Sequence, residues 1–194
     1  MTKFIHLNLH TEFSLVDGLI KIKPLVQKAQ ENQMPAVGIT DYVNLFSLVK
    51  FYNAAINNGI KPIIGSNCLI YDELEKKVSS LIFLCKSTQG YRNLTVLLSK
   101  AYTKGQMLNG KPLIYRSWIN NKNSEDLIVI SGEFAGDIGQ SILDDNLDKA
   151  EENLLFWKNL FPDNFYLEIQ RIGKPLEEKY ISSIIELSKD IIYH

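Results

Sequence analysis

Short apolar segments alternate with amphipathic segments along the first 65 residues, and this alternation restricts the possible folds more than any other feature. The apolar segments are predicted to be strands over 4–9, 36–39 and 60–64, with Gly65 ending the third. The segments between them are predicted to be helices over 25–32 and, capped by Asn44, up to Gly59. Strand–helix–strand repeats of this kind are typical of parallel sheets covered by helices.

The remaining residues keep the same rhythm. Further strands are predicted over 80–85, 127–130 and 165–169, and further helices over 90–102, 138–143, 147–161 and 176–189. Another strand would be expected after the last helix, where the sequence stops. The sequence therefore predicts a single domain over residues 1–194 with an α/β fold, a barrel that is truncated at its C-terminal end.

The charge balance argues against a stand-alone nucleic-acid binder. The formal net charge is −1, and only Arg92, Arg116 and Arg171 are arginines. Such a chain has no positive field to attract phosphates. Cys68 and Cys85 lie in apolar runs and are predicted to be buried free thiols in a reducing compartment. Because the sequence shows no cationic leader and no apolar run of membrane length, we expect a cytoplasmic protein without a membrane partner.

Polar side chains with metal-binding chemistry follow four of the predicted strands. They are His10 with Asp17, Asp41 with Tyr42, Asn67, and Glu133. We expect at least five mostly parallel strands, whose carboxyl ends bring these residues to one face of the sheet. A hydrolytic metal site needs His and carboxylate donors that converge in this way. Each residue alone also has an ordinary explanation, such as a turn at Asp17 or a cap at Asp41, so both interpretations remain open at this point.

The chain contains, in this order, the segments HLNLHTEFSLVDG, MPAVGITDYVNLFSLVKFYNAAINNGIKPIIGSN, GYRNLTVLLSKAY and FYLEIQRIG. Together these segments resemble the PHP (polymerase and histidinol phosphatase) domain family, in particular the PHP domains that begin bacterial replicative DNA polymerases. The resemblance implies a distorted (β/α)7 barrel, here truncated at its C-terminal end. Active members of the family hold a metal cluster, often a trinuclear one, and hydrolyse phosphoesters, in some polymerases as a metal-dependent 3′–5′ exonuclease.

Most metal-ligand positions that the resemblance implies hold other residues in this sequence. The family's ligands fall, in order, on Asn8, His10, Asp17, Tyr42, Asn67, Ser80 and Glu133, and a last Asp-x-His pair would lie beyond residue 194. Only His10 and Asp17 match, whereas Glu133 replaces a Cys and could bind a hard cation. The residues at the other ligand positions are neutral, and we expect them to form hydrogen bonds with His10 and Asp17 in place of a metal. They are Asn8, Tyr42, Asn67 and Ser80.

The resemblance and the eroded ligand set together predict a domain without catalytic residues, without a metal and without a cofactor. In polymerases of this group, the resemblance implies a structural scaffold that docks the proofreading exonuclease subunit during DNA replication. Other replicase subunits would be further partners, and DNA would be bound by the rest of the parent chain. The alternative is a residual metal-dependent phosphoesterase or 3′–5′ exonuclease that binds one divalent cation (Zn, Mn or Mg) through His10, Asp17 and Glu133.

Overall fold

The structure, a computed structural model, describes residues 4–192. The helices in this part of the chain are α1 (Ile22–Glu31), α2 (Leu48–Asn57), α3 (Thr88–Lys104), α4 (Asp137–Leu143), α5 (Leu147–Leu160) and α6 (Glu177–Ile192). The strands are β1 (Ala36–Ile39), β2 (Lys61–Asp72), β3 (Lys77–Cys85), β4 (Met107–Leu108), β5 (Lys111–Pro112), β6 (Ile114–Tyr115), β7 (Leu127–Ile130) and β8 (Phe165–Tyr166). None of the helices described has the length and apolar character that crossing a membrane requires.

The main sheet is curled and has the strand order β1-β2-β3-β7-β8, with β6 paired to β2 further along. The β1–β2, β2–β6 and β7–β8 pairs are parallel. Strand β3 runs antiparallel to both of its neighbours, β2 and β7. The predicted α/β fold with mostly parallel strands is confirmed, and β3 is an exception that the strand–helix alternation did not predict.

The prediction that Gly65 ends a strand is wrong, because β2 continues through it to Asp72. Gly65 pairs with Leu84 of β3. A Cβ atom at this position would lie 2.3 Å from the carbonyl oxygen of Phe83 and 2.6 Å from Cδ2 of Leu84. The glycine is therefore required by the close approach of β3, and Asn67 lies within a strand where the sequence suggested a strand end.

The prediction of a strand over 4–9 is also wrong, although this segment does run beside β1. The amide of Gly38 donates to the carbonyl of His6 (2.7 Å), and the amide of Thr40 donates to the carbonyl of Leu9 (2.9 Å). In the next position the amide of Leu9 donates to the Thr40 hydroxyl (2.9 Å). A side chain thus replaces the backbone partner of a regular ladder, and the segment still delivers His10 to the end of β1.

Two apolar clusters hold the helices on the sheet. The larger lies between the β2, β3 and β7 strands and helices α3 to α6, where Trp157 and Phe83 are fully buried. The smaller packs α1 and α2 against β1 through Val26 and Phe51.

Cys68 is a buried free thiol, and its burial raises the pKa of the thiol group to about 12. Helix α2 begins after Ser47, later than predicted, because the Asn44 side chain instead accepts from the amide of Phe46.

We expect Gly65→Ala to lower the free energy of unfolding by about 1–3 kcal/mol, because the added methyl group has no space against β3. Gly110→Asn is the control, since Gly110 has φ +78° with nothing within 4 Å of an added Cβ, and Asn tolerates this conformation. Urea denaturation of both variants measures the difference. Equal stability of Gly65→Ala and the natural chain would contradict the close contact between β2 and β3.

Candidate functional site

The carboxylate of Asp41 organises the end of β1. Asp41 is 1% exposed and follows the strand after Thr40. It accepts hydrogen bonds from the amide of Thr11 (2.6 Å), the hydroxyl of Thr11 (2.8 Å) and the hydroxyl of Ser14 (2.7 Å). The hydroxyl of Ser47, just before α2, donates to its second oxygen. Because protein donors surround both oxygens, this carboxylate is a structural link between three segments.

His10 lies beside this link and contacts three of the residues that were predicted to converge with it. Its Nε2 is 3.4 Å from the amide nitrogen of Asn67, and its ring meets the ring of Tyr42 edge-on at 5.0 Å between centroids. Its Nδ1 is 3.9 Å from a carboxylate oxygen of Asp17. Burial lowers the pKa of His10, and the carboxylates of Asp17 and Asp41 oppose this effect. The structure therefore brings His10, Asp17, Tyr42 and Asn67 together.

The orientation of the Asn67 amide determines the proton positions in this group. The hydroxyl of Ser80, on the neighbouring strand β3, donates to the amide oxygen of Asn67. The Asn67 amide nitrogen then faces His10 and can donate to Nε2, which leaves the ring proton on Nδ1, towards Asp17. Burial raises the pKa of the Tyr42 hydroxyl, and the charge of Asp17 raises it further.

Asn8 forms a second group with a residue that the sequence analysis missed, Glu168. The amide nitrogen of Asn8 donates to Oε1 of Glu168 (3.0 Å), and its amide oxygen accepts from the hydroxyl of Thr40 (3.2 Å). The sequence analysis expected Asn8 to pair with His10 or Asp17. Asn8 instead pairs with Glu168 and Thr40. Glu168 falls within the predicted strand over 165–169, where it could have been noted as a polar residue near the end of an apolar run.

Glu133 follows β7 through a left-handed turn, in which Gly132 has φ +73° and Glu133 has φ +50°. The side chain is almost completely buried, and the ammonium of Lys174 donates to its Oε2 over 2.9 Å. Oε1 of Glu133 and Oε2 of Glu168 are buried without a hydrogen-bond partner. Both carboxylates lie near the Tyr180 hydroxyl. Burial raises the pKa of this hydroxyl, and the charges of the two carboxylates raise it further. Lys174 was not identified from the sequence.

We call the polar residues around His10 and those around Glu133 the cleft, and a second lysine lies at its edge. Lys111, on the β4–β5 hairpin, places its Nζ 3.9 Å from the centroid of the Tyr42 ring and 4.0 Å from a carboxylate oxygen of Asp17. Asp17 is about half exposed at this position. This lysine was also missed, because a charged residue in a loop carries no sign of where the loop lies.

The described side chains do not match the donor set of a metal cluster. Within residues 4–192, no three or more His, Cys, Asp or Glu side chains are grouped so that they could hold a metal ion. His10, Asp17 and Glu133, the donors of the single-cation alternative, are thus not gathered into one such group.

Comparison with known proteins places the chain in a family. The model of the PHP domain matches residues 6–172, and the chain therefore belongs to the PHP domain family. It is 43% identical over 188 residues to the DNA polymerase III subunit alpha of Escherichia coli K12 and 42% identical to that of Vibrio cholerae. Each alignment covers 96% of this chain but only 16% of the relative. The family predicted from the sequence is confirmed.

A solved structure shows the same fold. It comes from Bifidobacterium adolescentis and is described as that of a metal-dependent phosphoesterase. The TM-score is 0.59 with 11% sequence identity, and the match covers 97% of this chain and 85% of the other. At this identity the likeness extends to the fold alone, which confirms the predicted PHP-type architecture.

We expect Asp41→Asn to lower the free energy of unfolding by about 2–4 kcal/mol, because an amide group would face four donors in a buried site. Asp17→Asn is the matched control. The same change at this half-exposed carboxylate should cost less than about 1 kcal/mol. Urea denaturation of both variants tests the prediction. Similar losses for the two would show that the Asp41 carboxylate contributes no more to the free energy of unfolding than a half-exposed carboxylate does.

We expect acid to destabilise the domain through His10. The pKa of this ring is lower in the folded protein than in the unfolded chain. The unfolded chain therefore binds the proton more readily, and stability is lost as the pH falls through the unfolded value of about 6.5. Urea denaturation at about pH 7.5 and about pH 5.5 should show a larger loss for the natural chain than for His10→Gln. An identical loss in both proteins would mean that burial does not keep this ring neutral.

Proposed function

We propose that this chain is the PHP domain of a bacterial DNA polymerase III alpha subunit, and that it is a non-catalytic scaffold for the proofreading exonuclease subunit. The similarity to alpha subunits along 96% of the chain supports the first part. The cleft supports the second. In the parent protein, DNA and other replicase subunits would be bound largely by the remaining chain, and the whole would work in the cytoplasm.

The observation that carries this proposal is the exchange of ligands for neutral side chains with protein partners. Asn67 is held between Ser80 and His10, and Asn8 is held between Thr40 and Glu168. A multinuclear site needs charged or imidazole donors on most sides of each ion, and lost ligands and supporting groups reduce metal affinity steeply. Amides and hydroxyls that already satisfy one another have no such demand, which supports a cleft whose His10 side needs no metal.

A polymerase whose PHP domain does not hydrolyse phosphoesters must obtain proofreading from another chain. The net charge of −1 gives little electrostatic steering, so docking should depend on an apolar or mixed surface. Helix α2 offers one, because Val49, Tyr52 and Ile56 share one face and are 68%, 49% and 52% exposed. Phe46, just before the helix, is 64% exposed. We propose this face of α2, and not the cleft, as the docking surface.

The test is calorimetric titration of the full-length alpha chain with the exonuclease subunit of the same organism. We expect binding that changes little between low and high salt and that Val49→Lys with Tyr52→Lys weakens at least about tenfold, since charges would be buried in the interface. Val96→Lys on α3 is the control, because Val96 is 61% exposed, between the values of Val49 and Tyr52, but lies on another helix.

The possible outcomes separate the two parts of the docking proposal. If the natural chain does not bind the exonuclease subunit at any salt concentration, the scaffold function is wrong. If it binds and the α2 double variant binds equally well, the scaffold function stands and the docking surface lies elsewhere. A cleft variant such as His10→Ala should bind as the natural chain does.

A residual metal-dependent phosphoesterase or 3′–5′ exonuclease is the second candidate. Two observations favour it: His10 and Asp17 are retained, and two buried carboxylate oxygens lack partners. Its signature would be hydrolysis of nitrophenyl phosphate or single-stranded DNA that a chelator abolishes and that His10→Ala also abolishes. We expect no hydrolysis that meets both conditions.

A further inference from the structure

We propose that Lys174 is the built-in counter-ion of this cleft, and that its ammonium group takes the place of a divalent cation at Glu133. The inference rests on the non-catalytic half of the proposed function and does not depend on docking. Glu133 stands where the resemblance to the family implies a thiolate ligand. The residues around it do not fit a metal, and the reason is a specific positive charge supplied by the chain itself.

The burial of Glu133 makes a counter-ion necessary. Its side chain is 5% exposed, whereas that of Lys174 is 42% exposed. A carboxylate removed from water is strongly destabilised unless a cation or several donors compensate it. Among the described residues, the ammonium of Lys174 is the only group that donates a hydrogen bond to this carboxylate. The ammonium, in contrast, reaches the site from the solvent side.

The backbone before Lys174 is built to hold this lysine in place. The carboxylate of Glu177, at the start of α6, accepts from the amides of Ile172 (2.7 Å), Gly173 (2.9 Å) and Lys174 (3.3 Å). Gly173 has φ +75°, a left-handed conformation that suits glycine. The Lys174 ammonium also lies 5.2 Å from the centroid of the Phe134 ring. A surface lysine in a freely moving loop would have none of these constraints.

Removal of the ammonium should leave a vacancy that attracts a metal ion. Oε1 of Glu133 and Oε2 of Glu168 already lack partners, and Oε2 of Glu133 would join them. Carboxylate oxygens are the preferred ligands of hard cations such as Mn2+ and Mg2+. In the natural chain the fixed ammonium repels such an ion, since two positive charges would compete for the same carboxylate.

The experiment measures Mn2+ binding to the full-length alpha chain by equilibrium dialysis with electron paramagnetic resonance. The quantity compared is the difference between variants, so that any ion bound by the rest of the full-length chain cancels. We expect Lys174→Met to bind one more Mn2+ than the natural chain, or to bind it at least about tenfold more tightly. Lys174→Arg keeps the charge and should behave as the natural chain does.

Two further variants make the result specific. Glu133→Gln combined with Lys174→Met removes both charges and should lose the additional Mn2+ while remaining folded. If Lys174→Met alone fails to fold, the folding of this double variant is the measurement that tests the pairing of the two charges. Lys111→Met is the matched control, because Lys111 faces the half-exposed Asp17 at 4.0 Å and should gain no ion. The proposal is overturned if Lys174→Met folds without gaining Mn2+, if Lys111→Met gains it equally, or if the double variant keeps it. Exonuclease binding is assayed separately, so failure here leaves the docking result untouched.

Discussion

The buried carboxylate of Asp41 is the contact on which the geometry of the cleft depends. A charge in such a position is costly unless hydrogen bonds replace its water, and here Thr11, Ser14 and Ser47 supply them. The backbone carbonyl of Asp41 also accepts from the hydroxyl of Ser66 on β2 (2.9 Å). One residue thus joins the segment after His10, the start of α2 and the middle of β2, which fixes the distance between His10 and Asn67.

The two parts of the cleft solve the problem of buried polar groups in different ways. Around His10 the fully buried charge is that of Asp41, which accepts hydrogen bonds from amide and hydroxyl groups, and Asn67 uses both ends of its amide. The buried carboxylate of Glu133, in contrast, accepts from no amide or hydroxyl group of the described residues. A cation is needed there, and the ammonium of Lys174 lies 2.9 Å away.

The sequence predicts the class of fold well because apolar periodicity and the alternation of strands and helices reflect burial directly. It does not predict the direction of β3, since an apolar run reads the same in both directions. The turn from β2 to β3 also lacks the usual glycine: Lys76 takes the left-handed conformation there, with φ +54°. The prediction that Gly65 ends a strand failed because a glycine that permits close packing inside a strand cannot be distinguished in the sequence from one that ends a strand.

The candidate site was predicted in part, for a reason that bears on its chemistry. His10, Asp17, Tyr42 and Asn67 could be found because each occupies a position that a strand or a motif defines. Lys111 and Lys174 could not, because they come from a hairpin and a loop outside the sheet. A comparison of ligand positions alone therefore does not find residues that reach the cleft from outside the sheet.

The acidic residue at position 133 and the lysine at position 174 are physically coupled. A carboxylate at position 133 without a nearby cation would be a buried unpaired charge, among the most destabilising changes a core can suffer. A lysine at position 174 opposite a neutral side chain would bring a positive charge towards a buried site for no electrostatic gain. Each residue is thus tolerable chiefly in the presence of the other. Within this family, we therefore expect an acidic residue at the position of Glu133 to occur together with a cationic residue at the position of Lys174. We expect metal-binding domains of the family to lack this pair.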